Sequence, residues 1–542
     1  MEVQQPEQAK LGKRNLSHKS AHSENSKEQA MEDPAHLEPS HLTAEERDKE
    51  IKQMMKVYRV VDGVAPVDEY VQHRERYRVA QLFGKTYSKI LSQSKAEDNK
   101  NKFYVLQMLE DKDSKDLYVY FRWGRIGVKG QDALIPFGKQ TGQAIAEFDS
   151  KLKEKAEDGN YEELDIVFDD EISPEAQERT MIKDLNKSSL PRKVAELVKD
   201  LFSIKIFREH VKEIGYDAQK MPLGKLSSNN LKMGYNFLKL ILKELESKDQ
   251  KGVDAKVEGL TNKFFSFIPH NFGFKKMSDQ VINSKEKVTE KLQLLDLLSN
   301  MKIAMETIDG ARDDSGEGNT IDAYYKRLGS ELTPLHESTK EFGIIKDYLQ
   351  KSVSPSHNFK LELQDMFTVR RKGEDEAFDK NIQNRVLLWY GSRASNFPFI
   401  LSRGLKVPGA EVPVTGFAFG KGIYFTDCSS KAAEYCHATQ SNNTVLLLVC
   451  EVALGQSKVL TQRDSSASQL GDSFQSIHGQ GKYSHGAPVY YDVQEDGTKI
   501  PKGPLQKLNP EPATFLQFNK YVVYKPNQVK LRYLLKCKLA QQ

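Results

Sequence analysis

The stretch Phe419 to Cys436, FGKGIYFTDCSSKAAEYC, is the segment around which we interpret the rest of the chain. Its GKGIYF part predicts a short strand, with glycines where the backbone can approach a ligand closely. Tyr424 and Tyr435 lie eleven residues apart, and their rings are candidate walls of a pocket. On these residues alone, a tyrosine-rich β core with turn glycines is an equally good interpretation.

Two further segments share this pattern of a strand that ends in a pocket. LLWYGSR (Leu387 to Arg393) is an apolar run that ends in Gly391 and Ser392, and FNKYVVY (Phe518 to Tyr524) is a second apolar strand. Amide and hydroxyl groups at a strand end are where ligand pockets are often built. Together the three segments predict a pocket for a flat, polar ring.

These residues resemble the ADP-ribosyltransferase domain of the poly(ADP-ribose) polymerase (PARP) family. The resemblance is greatest to its small, DNA-dependent members and runs from about residue 101 to the C-terminus. It implies a multidomain α+β protein with a small β-rich WGR domain, an all-α helical regulatory bundle and a mixed α/β ADP-ribosyltransferase domain with antiparallel sheets. It also implies that NAD is the substrate.

The family's signature triad, His-Tyr-Glu, reads Tyr390, Tyr424 and Lys520 in this chain. By resemblance, the backbone of Gly391 would pair with the nicotinamide amide, and Tyr424 and Tyr435 would sandwich the nicotinamide ring. Tyr390 replaces a histidine that orients the dinucleotide, and its hydroxyl reaches beyond the position of an imidazole nitrogen. Two of the three catalytic positions are therefore substituted.

Three more residues belong to the implied NAD site. Ser392 would lie beside the adenosine ribose, and Lys406, in the loop Leu405 to Phe419, would meet a phosphate, with a solvated surface lysine as the alternative. The serine that usually completes the carboxamide contacts is Ala432, a loss of about 0.5–1.5 kcal/mol for one hydrogen bond. We therefore expect NAD binding to be weakened.

Lys520 replaces the family's catalytic glutamate. Cleavage of the bond to nicotinamide passes through an oxocarbenium-like transition state, which a carboxylate stabilises. A unit charge about 4 Å away contributes roughly 4 kcal/mol at an effective dielectric of 20. Reversing its sign raises the barrier by at most about 8 kcal/mol, or five to six decades in rate. Polymer elongation is the activity that we expect least.

Two functional hypotheses follow. The first is a catalytically impaired or inactive homologue that acts as a binding or scaffolding protein, either on broken DNA or in a protein assembly such as a cytoskeletal one. The second is an active, NAD-dependent mono-ADP-ribosyltransferase of the DNA-damage response, in which Glu511 or Glu495 replaces the missing carboxylate. The resemblance implies a nuclear location, and a cytoplasmic or cytoskeletal one stays open.

The segment RWGRIG (Arg122 to Gly127) matches the WGR signature. In the family's DNA-dependent members this domain holds the end of a broken strand, which makes Trp123 a candidate contact to a sugar and Arg125 a candidate contact to the terminal phosphate. Arg122 is the third candidate contact to nucleic acid. Phosphate contacts by arginine give affinity without reading sequence. The alternative is that Trp123 only packs and that Arg125 pairs with an acidic neighbour.

Composition restricts the class of protein. A chain of 542 residues predicts three or four domains, and the net charge of +4 does not by itself indicate a nucleic-acid-binding protein. Four cysteines without CxxC or Cys/His spacing suit a reducing compartment and argue against a metal site. No apolar run approaches the roughly 18 residues of a membrane span, so we expect a soluble, intracellular protein without a membrane partner.

We predict five segments. They are a disordered acidic tail at residues 1–50, a WGR domain with a β-like lead-in at 51–165, an acidic linker at 166–187, the helical regulatory domain at 188–320, and the transferase domain at 321–542. The tail has seven Lys and Arg against eleven Asp and Glu. Its Lys10, Lys13 and Arg14 are either a weak nuclear-import cluster or solvated charges.

Periodicity predicts individual elements within these segments. We expect strands at 103–109, 116–123, 386–389, 444–452 and 520–524, and a helix at 142–155. Apolar stripes predict helices around Val194 to Leu201, Leu231 to Leu245 and Val288 to Leu298, the first capped by Ser189. We expect a loop at 309–320, an exposed insertion at 465–485 and a structural role for His270.

Overall fold

Three regions follow one another along the chain in the computed structural model. It describes residues 65–164, 166–167, 174–213, 225–247, 252–273, 275–310, 318–409, 417–438, 443–471, 473–485, 490–492 and 497–541. The predicted acidic tail lies outside the described residues, as do residues 51–64 of the β-like lead-in. The multidomain α+β class expected from the sequence is confirmed.

The first region is a sheet with one helix packed on it. Its elements are β1 (Tyr77–Val79), β2 (Gln81–Leu82), β3 (Lys85–Thr86), β4 (Ser88–Lys95), β5 (Lys100–Asp111), β6 (Leu117–Arg125), β7 (Gln131–Gly138), α1 (Thr141–Lys153), β8 (Glu162–Leu164) and β9 (Ile166–Val167). The sheet has the order β7-β6-β5-β4-β8, with β1 paired to β5. Ala144 and Phe148 of α1 are buried against it. The two strands and the helix predicted here are confirmed.

The second region is built from helices. They are α2 (Pro174–Leu185), α3 (Arg192–Leu201), α4 (Ile204–Glu213), α5 (Ser228–Leu245), α6 (Val253–Phe267) and α7 (Lys285–Gly310), and a short strand, β10 (Lys225–Leu226), pairs with β9. The predicted apolar stripes on α3, α5 and α7 are buried, apart from the half-buried Leu245. These stripes are therefore the core of the bundle.

The predicted acidic linker contains helix α2. Met181 and Gln177 of this helix are buried. The Gln177 side chain donates to the carbonyl of Phe202 and accepts from the amide of Ile204, at 2.9 Å in both cases. Its amide side chain thus satisfies two backbone groups between α3 and α4, which fixes α2 to the bundle.

The cap predicted for α3 was wrong. Pro191 is the N-cap residue of this helix. The hydroxyl of Ser189 donates instead to the Asp322 carboxylate at 2.6 Å. Ser189 therefore joins the start of the bundle to the third region, a contact between distant residues that helix-capping patterns do not reveal.

The third region contains a large sheet and a smaller one. Its elements are α8 (Thr320–Leu328), β11 (Ser330–Pro334), α9 (Lys340–Lys351), β12 (Phe359–Arg371), α10 (Glu374–Ala377), β13 (Arg385–Gly391), α11 (Phe397–Arg403), β14 (Ile423–Phe425), α12 (Ser429–Glu434), β15 (Thr444–Ala453), β16 (Ser457–Leu460), β17 (Ser476–Gly479), β18 (Tyr483–Ser484), β19 (Tyr490–Asp492), β20 (Lys499–Pro501), β21 (Gln506–Lys507), β22 (Lys520–Val523) and β23 (Val529–Gln541). The large sheet has the order β11-β12-β23-β15-β13-β20-β19, and the smaller one β14-β22-β17-β16. The three strands predicted here are confirmed.

The exposed insertion predicted at 465–485 is largely exposed in its first part, up to Ser473, and was wrong for the part from Ser476 onwards. This segment contains β17, which lies between β16 and β22, and its Ser476 and Ile477 are fully buried. The glycines serve close packing, because a Cβ on Gly479 would lie 2.4 Å from the ring of Phe419. A composition rich in Ser, Gly and Gln therefore reflects a crowded strand.

Several expectations fall wholly or partly outside the described residues. The predicted loop at 309–320 begins in the last turn of α7 and ends where α8 begins, and its residues 311–317 are not described. Residues 410–416 of the loop that resembles the one closing over NAD are not described either.

A buried ion-pair cluster holds β13 in the large sheet. Glu451 of β15 is 1% exposed and pairs with Arg385 of β13 at 3.3 Å and with Arg532 of β23. Thr498 donates to the same carboxylate at 3.1 Å. Glu451 thus neutralises cations on both neighbouring strands, including the strand that carries the candidate site.

We expect Glu451→Ala to lower the free energy of unfolding by about 3–5 kcal/mol, because it removes a fully buried carboxylate and leaves two half-buried arginines without it. Urea unfolding of the full chain measures this loss. Glu331→Ala, which removes an exposed carboxylate from β11, is the matched control and should change stability by no more than about 0.5 kcal/mol. Equal effects of the two substitutions would contradict the assignment.

Candidate functional site

The two sheets of the third region meet at one pair of residues. The amide of Trp389 donates to the carbonyl of Thr426 at 2.8 Å, and the amide of Thr426 donates to the carbonyl of Trp389 at 3.1 Å. Trp389 is fully buried, and its ring stacks on Tyr348 with centroids 4.7 Å apart. Tyr390 and Gly391, the last residues of β13, therefore lie beside the end of β14.

Gly391 lies directly against helix α12. A Cβ at this position would be 1.9 Å from the carbonyl oxygen of Ala432 and 3.3 Å from the sulfur of Cys436. Only glycine fits, so β13 and α12 are held at a fixed separation. The methyl group of Ala432 is 1% exposed and belongs to the apolar cluster beneath the sheet.

The hydroxyl of Tyr424 forms two hydrogen bonds with the backbone of its own loop. It donates to the carbonyl of Gly420 at 2.7 Å and accepts from the amide of Phe419 at 3.0 Å. Burial raises the pKa of Tyr424 above its usual range, so the side chain is a neutral phenol. Because both of these bonds are internal, the ring of Tyr424 can serve as a wall of the pocket.

Tyr435 is the more open of the two candidate walls. Its side chain is 46% exposed. The ammonium of Lys431 lies 5.2 Å from the centroid of its ring and pairs with Glu434 at 2.6 Å. A cation therefore already lies over the ring that was expected to stack on a ligand.

Lys520 is the first residue of β22, and it faces a glycine, Gly479, across the ladder to β17. Its ammonium has no hydrogen-bond or ion-pair partner within the part of the chain that the structure describes. Burial, followed by the charges of Lys431 and Arg463, lowers the pKa of Lys520 to about 8. Lys520 is thus a half-buried cation, under the influence of two other positive charges, at the position where the resemblance places a carboxylate.

A buried polar cluster that sequence reasoning missed involves Asn519 and Tyr521, the chain neighbours of Lys520, whose side chains alternate with it and lie on the opposite face of β22. Asn519 donates to a carboxylate oxygen of Asp427 at 2.8 Å, and the hydroxyl of Tyr521 lies 3.4 Å from the same oxygen. His478 stacks on Tyr521 at 4.7 Å, and burial lowers its pKa. The other oxygen of Asp427 and the Nε2 of His478 have no partner among the described residues.

The position of Asp427 could have been found in the sequence. It follows the strand IYF by two residues, where a polar side chain emerges at a strand end. His478 had no such signal, because its segment was predicted to be exposed. The stacking of this ring on Tyr521 depends on the pairing of β17 with β22.

Tyr390 is enclosed between the pocket and the core. Burial raises the pKa of Tyr390 to about 12, and its ring centroid lies 6.0 Å from that of Phe425. The hydroxyl bonds to the side chain of Ser392, which also accepts from the amide nitrogen of Asn396 at 2.9 Å. Both Tyr390 and Ser392 therefore make their hydrogen bonds within the protein.

The helical region covers the chain that follows Ser392. Helices α4 and α7 pack against the turn Ala394–Asn396, and His210 of α4 bonds to the hydroxyl of Ser395 at 3.1 Å. Burial lowers the pKa of His210 to about 4, so the imidazole is neutral near pH 7. Asp296 of α7 is close enough to Tyr390 to affect its titration. This side of the candidate site is closed by the bundle.

Two residues predicted to serve the site lie apart from its tyrosines. Lys406 is exposed and packs over Phe399, with its ammonium 5.5 Å from the ring centroid. Glu511, a candidate replacement carboxylate, pairs with Lys482 and Lys507 at 2.6 Å each, and these bonds lower its pKa to about 2. Glu495, the other candidate, lies outside the described residues.

Arg122, predicted to contact nucleic acid, is buried. Its guanidinium is 1% exposed and donates to both carboxylate oxygens of Asp68, at 3.0 and 2.8 Å. The rings of Tyr70 and Phe103 lie 4.5 and 4.8 Å from it. The prediction that Arg122 contacts nucleic acid directly is not supported. Its N–H donors bond to Asp68, and aromatic rings lie near its guanidinium group.

Trp123 and Arg125 also make internal contacts. Trp123 stacks on Tyr104 with ring centroids 6.3 Å apart, in agreement with the packing alternative. Arg125 donates to backbone carbonyls. It has no acidic partner among the described residues, although one alternative expected such a pair. The carbonyls are those of Asn99 (3.1 Å), Gly273 (2.9 Å) and Lys275 (3.4 Å).

His270 has the structural role expected from the sequence. It is buried, its Nδ1 lies 2.6 Å from the carbonyl of Ile268, and its ring stacks on Phe272. The carbonyl of His270 accepts from Asn101 of β5 at 2.8 Å. The loop after α6 thus joins the helical region to the first sheet.

The cysteines and acidic residues do not form a metal centre in the described ranges. All four cysteines are buried and unpaired. Among the described residues, no group of three or more His, Cys, Asp or Glu side chains is placed to hold a metal ion. In the same residues, no helix is both long and apolar enough to cross a membrane.

Three family models match successive parts of the chain. The WGR domain matches residues 87–166, the regulatory domain of poly(ADP-ribose) polymerase matches residues 188–325, and the poly(ADP-ribose) polymerase catalytic domain matches residues 339–539. The pocket positions from Tyr390 to Lys520 lie within the catalytic match. Arg122 to Arg125 lie within the WGR match.

Curated proteins are similar to most of the chain. Poly [ADP-ribose] polymerase 2 of Zea mays is 34% identical over 503 residues, which cover 90% of this chain and 76% of the maize protein. Poly [ADP-ribose] polymerase 2 of Homo sapiens is 35% identical over 498 residues, covering 88% and 84%. The protein of the same name from Arabidopsis thaliana is 33% identical over 506 residues, covering 88% and 77%.

The lowered pKa of Lys520 predicts a pH-dependent stability. The pKa falls from 10.5 to about 8 on folding, so the unfolded chain binds more protons between these values. Stability due to this group therefore rises with pH across that window. We expect Lys520→Gln to be more stable than wild type at pH 7, with the difference shrinking towards pH 10, as measured by urea unfolding.

Lys520→Arg is the matched control, because arginine stays charged across this range. Wild type should gain stability relative to this variant between pH 8 and pH 10. If the differences in free energy of unfolding among the three proteins did not change with pH, the fold would not destabilise the charged form of Lys520.

Proposed function

Because the chain belongs to the poly(ADP-ribose) polymerase family, we propose that it keeps the transferase fold as a binding or scaffolding protein and has lost most or all of the family's NAD-dependent chemistry. The observation that carries this proposal is the position of Lys520 at the start of β22, half-buried, under the influence of the charges of Lys431 and Arg463 and without an acidic partner among the described residues. The site is cationic where the family's chemistry uses a carboxylate.

Electrostatics oppose both the substrate and its transition state. The nicotinamide ring of NAD carries a positive charge, and so does the ribosyl oxocarbenium that forms when it leaves. With a pKa of about 8, Lys520 is mostly protonated at neutral pH. One such charge about 4 Å away opposes a cation by roughly 4 kcal/mol at an effective dielectric of 20. The described residues therefore fit the reactive end of NAD poorly.

Hydrogen bonding adds to this argument. The hydroxyls of Tyr390 and Ser392 bond to each other, and the hydroxyl of Tyr424 is used by its own loop. A dinucleotide would have to compete with these internal bonds. Each exchange gains little, because one bond replaces another.

The alternative is an active mono-ADP-ribosyltransferase of the DNA-damage response that uses NAD as substrate. It is favoured by one observation, that an oxygen of the buried Asp427, which contacts the chain neighbours of Lys520, has no partner among the described residues. Glu511 is a weaker candidate for the missing carboxylate, since two lysines hold it. Asp427 is thus the residue to test under this alternative.

For partners, we propose that the WGR domain binds broken or nicked DNA and that other surfaces of the chain bind protein. Arg125 acts at the junction with the helical region, where it bonds to Gly273 and Lys275. A DNA end that engages Arg125 would have to replace these carbonyls. We propose a nuclear location on the strength of the family.

The decisive experiment is transfer of labelled ADP-ribose from NAD, with and without nicked DNA. We expect no incorporation by wild type and measurable incorporation by Tyr390→His, Ala432→Ser, Lys520→Glu. Because Ala432 is buried, the variant Tyr390→His, Lys520→Glu, which leaves that methyl group in place, is assayed beside it.

The single substitution Lys520→Glu gives a test that does not depend on transferase activity. A carboxylate beside Lys431 and Arg463 should raise the free energy of unfolding at pH 7, whether or not transfer returns. Incorporation by wild type would overturn the proposal. Loss of that incorporation in Asp427→Asn, without a loss of stability, would then establish the alternative.

Binding to nicked DNA tests the proposed partner. We expect the full chain to bind a nick with a 5′-phosphate more tightly than intact duplex, with affinity that falls as salt rises. Arg125→Gln should reduce this preference. Arg78→Gln, which removes an arginine paired with Glu110 on the same sheet, should not. Equal affinity for nicked and intact duplex would exclude break sensing.

A further inference from the structure

The side chain of Lys520 lies on an apolar face of the smaller sheet. Residues directly opposite each other on paired strands share a face, so Lys520 lies on the same face as Gly479. A Cβ on Gly479 would lie 2.4 Å from the ring of Phe419 and 2.8 Å from a methyl group of Leu516. Val522, two residues further along β22, is fully buried on this face. Apolar groups therefore cover the strand positions next to Lys520.

The charge of Lys520 is not neutralised by a carboxylate. Its ammonium makes no hydrogen bond or ion pair within the described ranges. The buried carboxylate of Asp427 bonds to Asn519, whose side chain lies on the opposite face of β22. Burial, followed by the charges of Lys431 and Arg463, lowers the pKa of Lys520 to about 8. Lys520 is thus a half-buried amine under the influence of other positive charges.

Such surroundings make a lysine nucleophilic, because only the neutral amine attacks carbon. At pH 7 roughly a tenth of a lysine with a pKa of about 8 is neutral, against less than about a thousandth of one with the ordinary pKa of about 10.4. An apolar site and a neighbouring cation are two ways in which proteins activate a lysine. Both act on Lys520, whose side chain is half-buried and so keeps partial access to solvent.

Arg463 supplies a charge that an incoming anion can meet. It is exposed, its guanidinium carbon lies 4.9 Å from the centroid of the Phe515 ring, and no carboxylate pairs with it in the part of the chain that the structure describes. Lys431, by contrast, already pairs with Glu434 at 2.6 Å. An anionic group between Lys520 and Arg463 would reduce the repulsion between these two cations.

We propose that Lys520 is a covalent binding site for a small aldehyde that carries an anionic group, with which it forms an imine. The neutral amine adds to the carbonyl carbon and gives a carbinolamine. The carbonyl oxygen then leaves as water with the two protons of the amine, and a carbon–nitrogen double bond remains. No oxidant or reductant takes part in this step. The inference rests on the proposed function in one respect, since the site must be free of NAD.

The probe is 4-formylbenzoate, and its uncharged methyl ester is the comparison. Each is added to the full chain without NAD, the imines are reduced with cyanoborohydride, and the labelled lysines are quantified by peptide mass spectrometry. At pH 7 we expect 4-formylbenzoate to label Lys520 at least about tenfold more than Lys525, an exposed lysine just beyond the end of β22. Equal labelling of the two lysines would overturn the proposal.

The role of the anionic group is tested at Arg463. We expect Lys520 to prefer 4-formylbenzoate over the ester by at least about fivefold in wild type, and this preference to disappear in Arg463→Gln. Arg327→Gln, which removes an exposed arginine at the end of α8, is the matched control and should keep it. Absence of the preference in wild type, or its loss in both variants, would overturn the proposal.

The test is separate from that of the proposed function, because imine formation is measured without NAD. Incorporation of ADP-ribose by wild type, with Lys520 still labelled selectively in the absence of NAD, would overturn only the proposed function. No incorporation, together with unselective labelling, would overturn only the covalent site.

Discussion

The pair of hydrogen bonds between Trp389 and Thr426 is the constraint on which the candidate site depends. It joins the end of β13 in the large sheet to the chain that leaves β14 in the smaller one. Trp389 is fully buried, so water does not compete for these bonds. Gly391 follows within two residues and fixes the distance to α12. The pocket is thus set by backbone contacts that do not require particular catalytic side chains.

This explains how the frame persists while two of the three triad positions are substituted. Tyr424 and Gly391 are held by bonds and packing within their own loops, and these contacts are satisfied without a ligand. Lys520 can occupy the end of β22 because it faces a glycine across the ladder. Burial destabilises the charged form of Lys520, as the lowered pKa of this residue indicates. Function can therefore be changed without loss of the fold.

The first and second regions are joined by polar contacts of the backbone. Asn101 reaches the carbonyl of His270, and the amide of Met277 donates to Asn99 at 3.0 Å. Arg125 adds bonds to the same loop. These bonds are directional, so they fix the orientation of the loop after α6 against the sheet. That region in turn contacts the turn after Ser392 through His210.

The sequence by itself determined the order of the regions and most of their elements. Local periodicity suffices for this, since apolar stripes such as Val194 to Leu201 and strands such as Thr444 to Val452 depend on neighbours in the chain. It also identified Tyr390, Tyr424 and Lys520 as the positions in which the pocket departs from the family's pattern. Residue identity and order were enough for that comparison.

Only the tertiary structure decided what those residues contact. Arg122 and Trp123 are residue types that often contact nucleic acid. In the fold, Arg122 instead pairs with Asp68, and Trp123 stacks on Tyr104. From the sequence, Glu511 is a candidate for the missing catalytic carboxylate. In the fold, it pairs with Lys482 and Lys507. Charge, burial and hydrogen bonding arise between segments far apart in the chain, so the charges that act on Lys520 and the arginine partners of Glu451 could not be derived from local pattern.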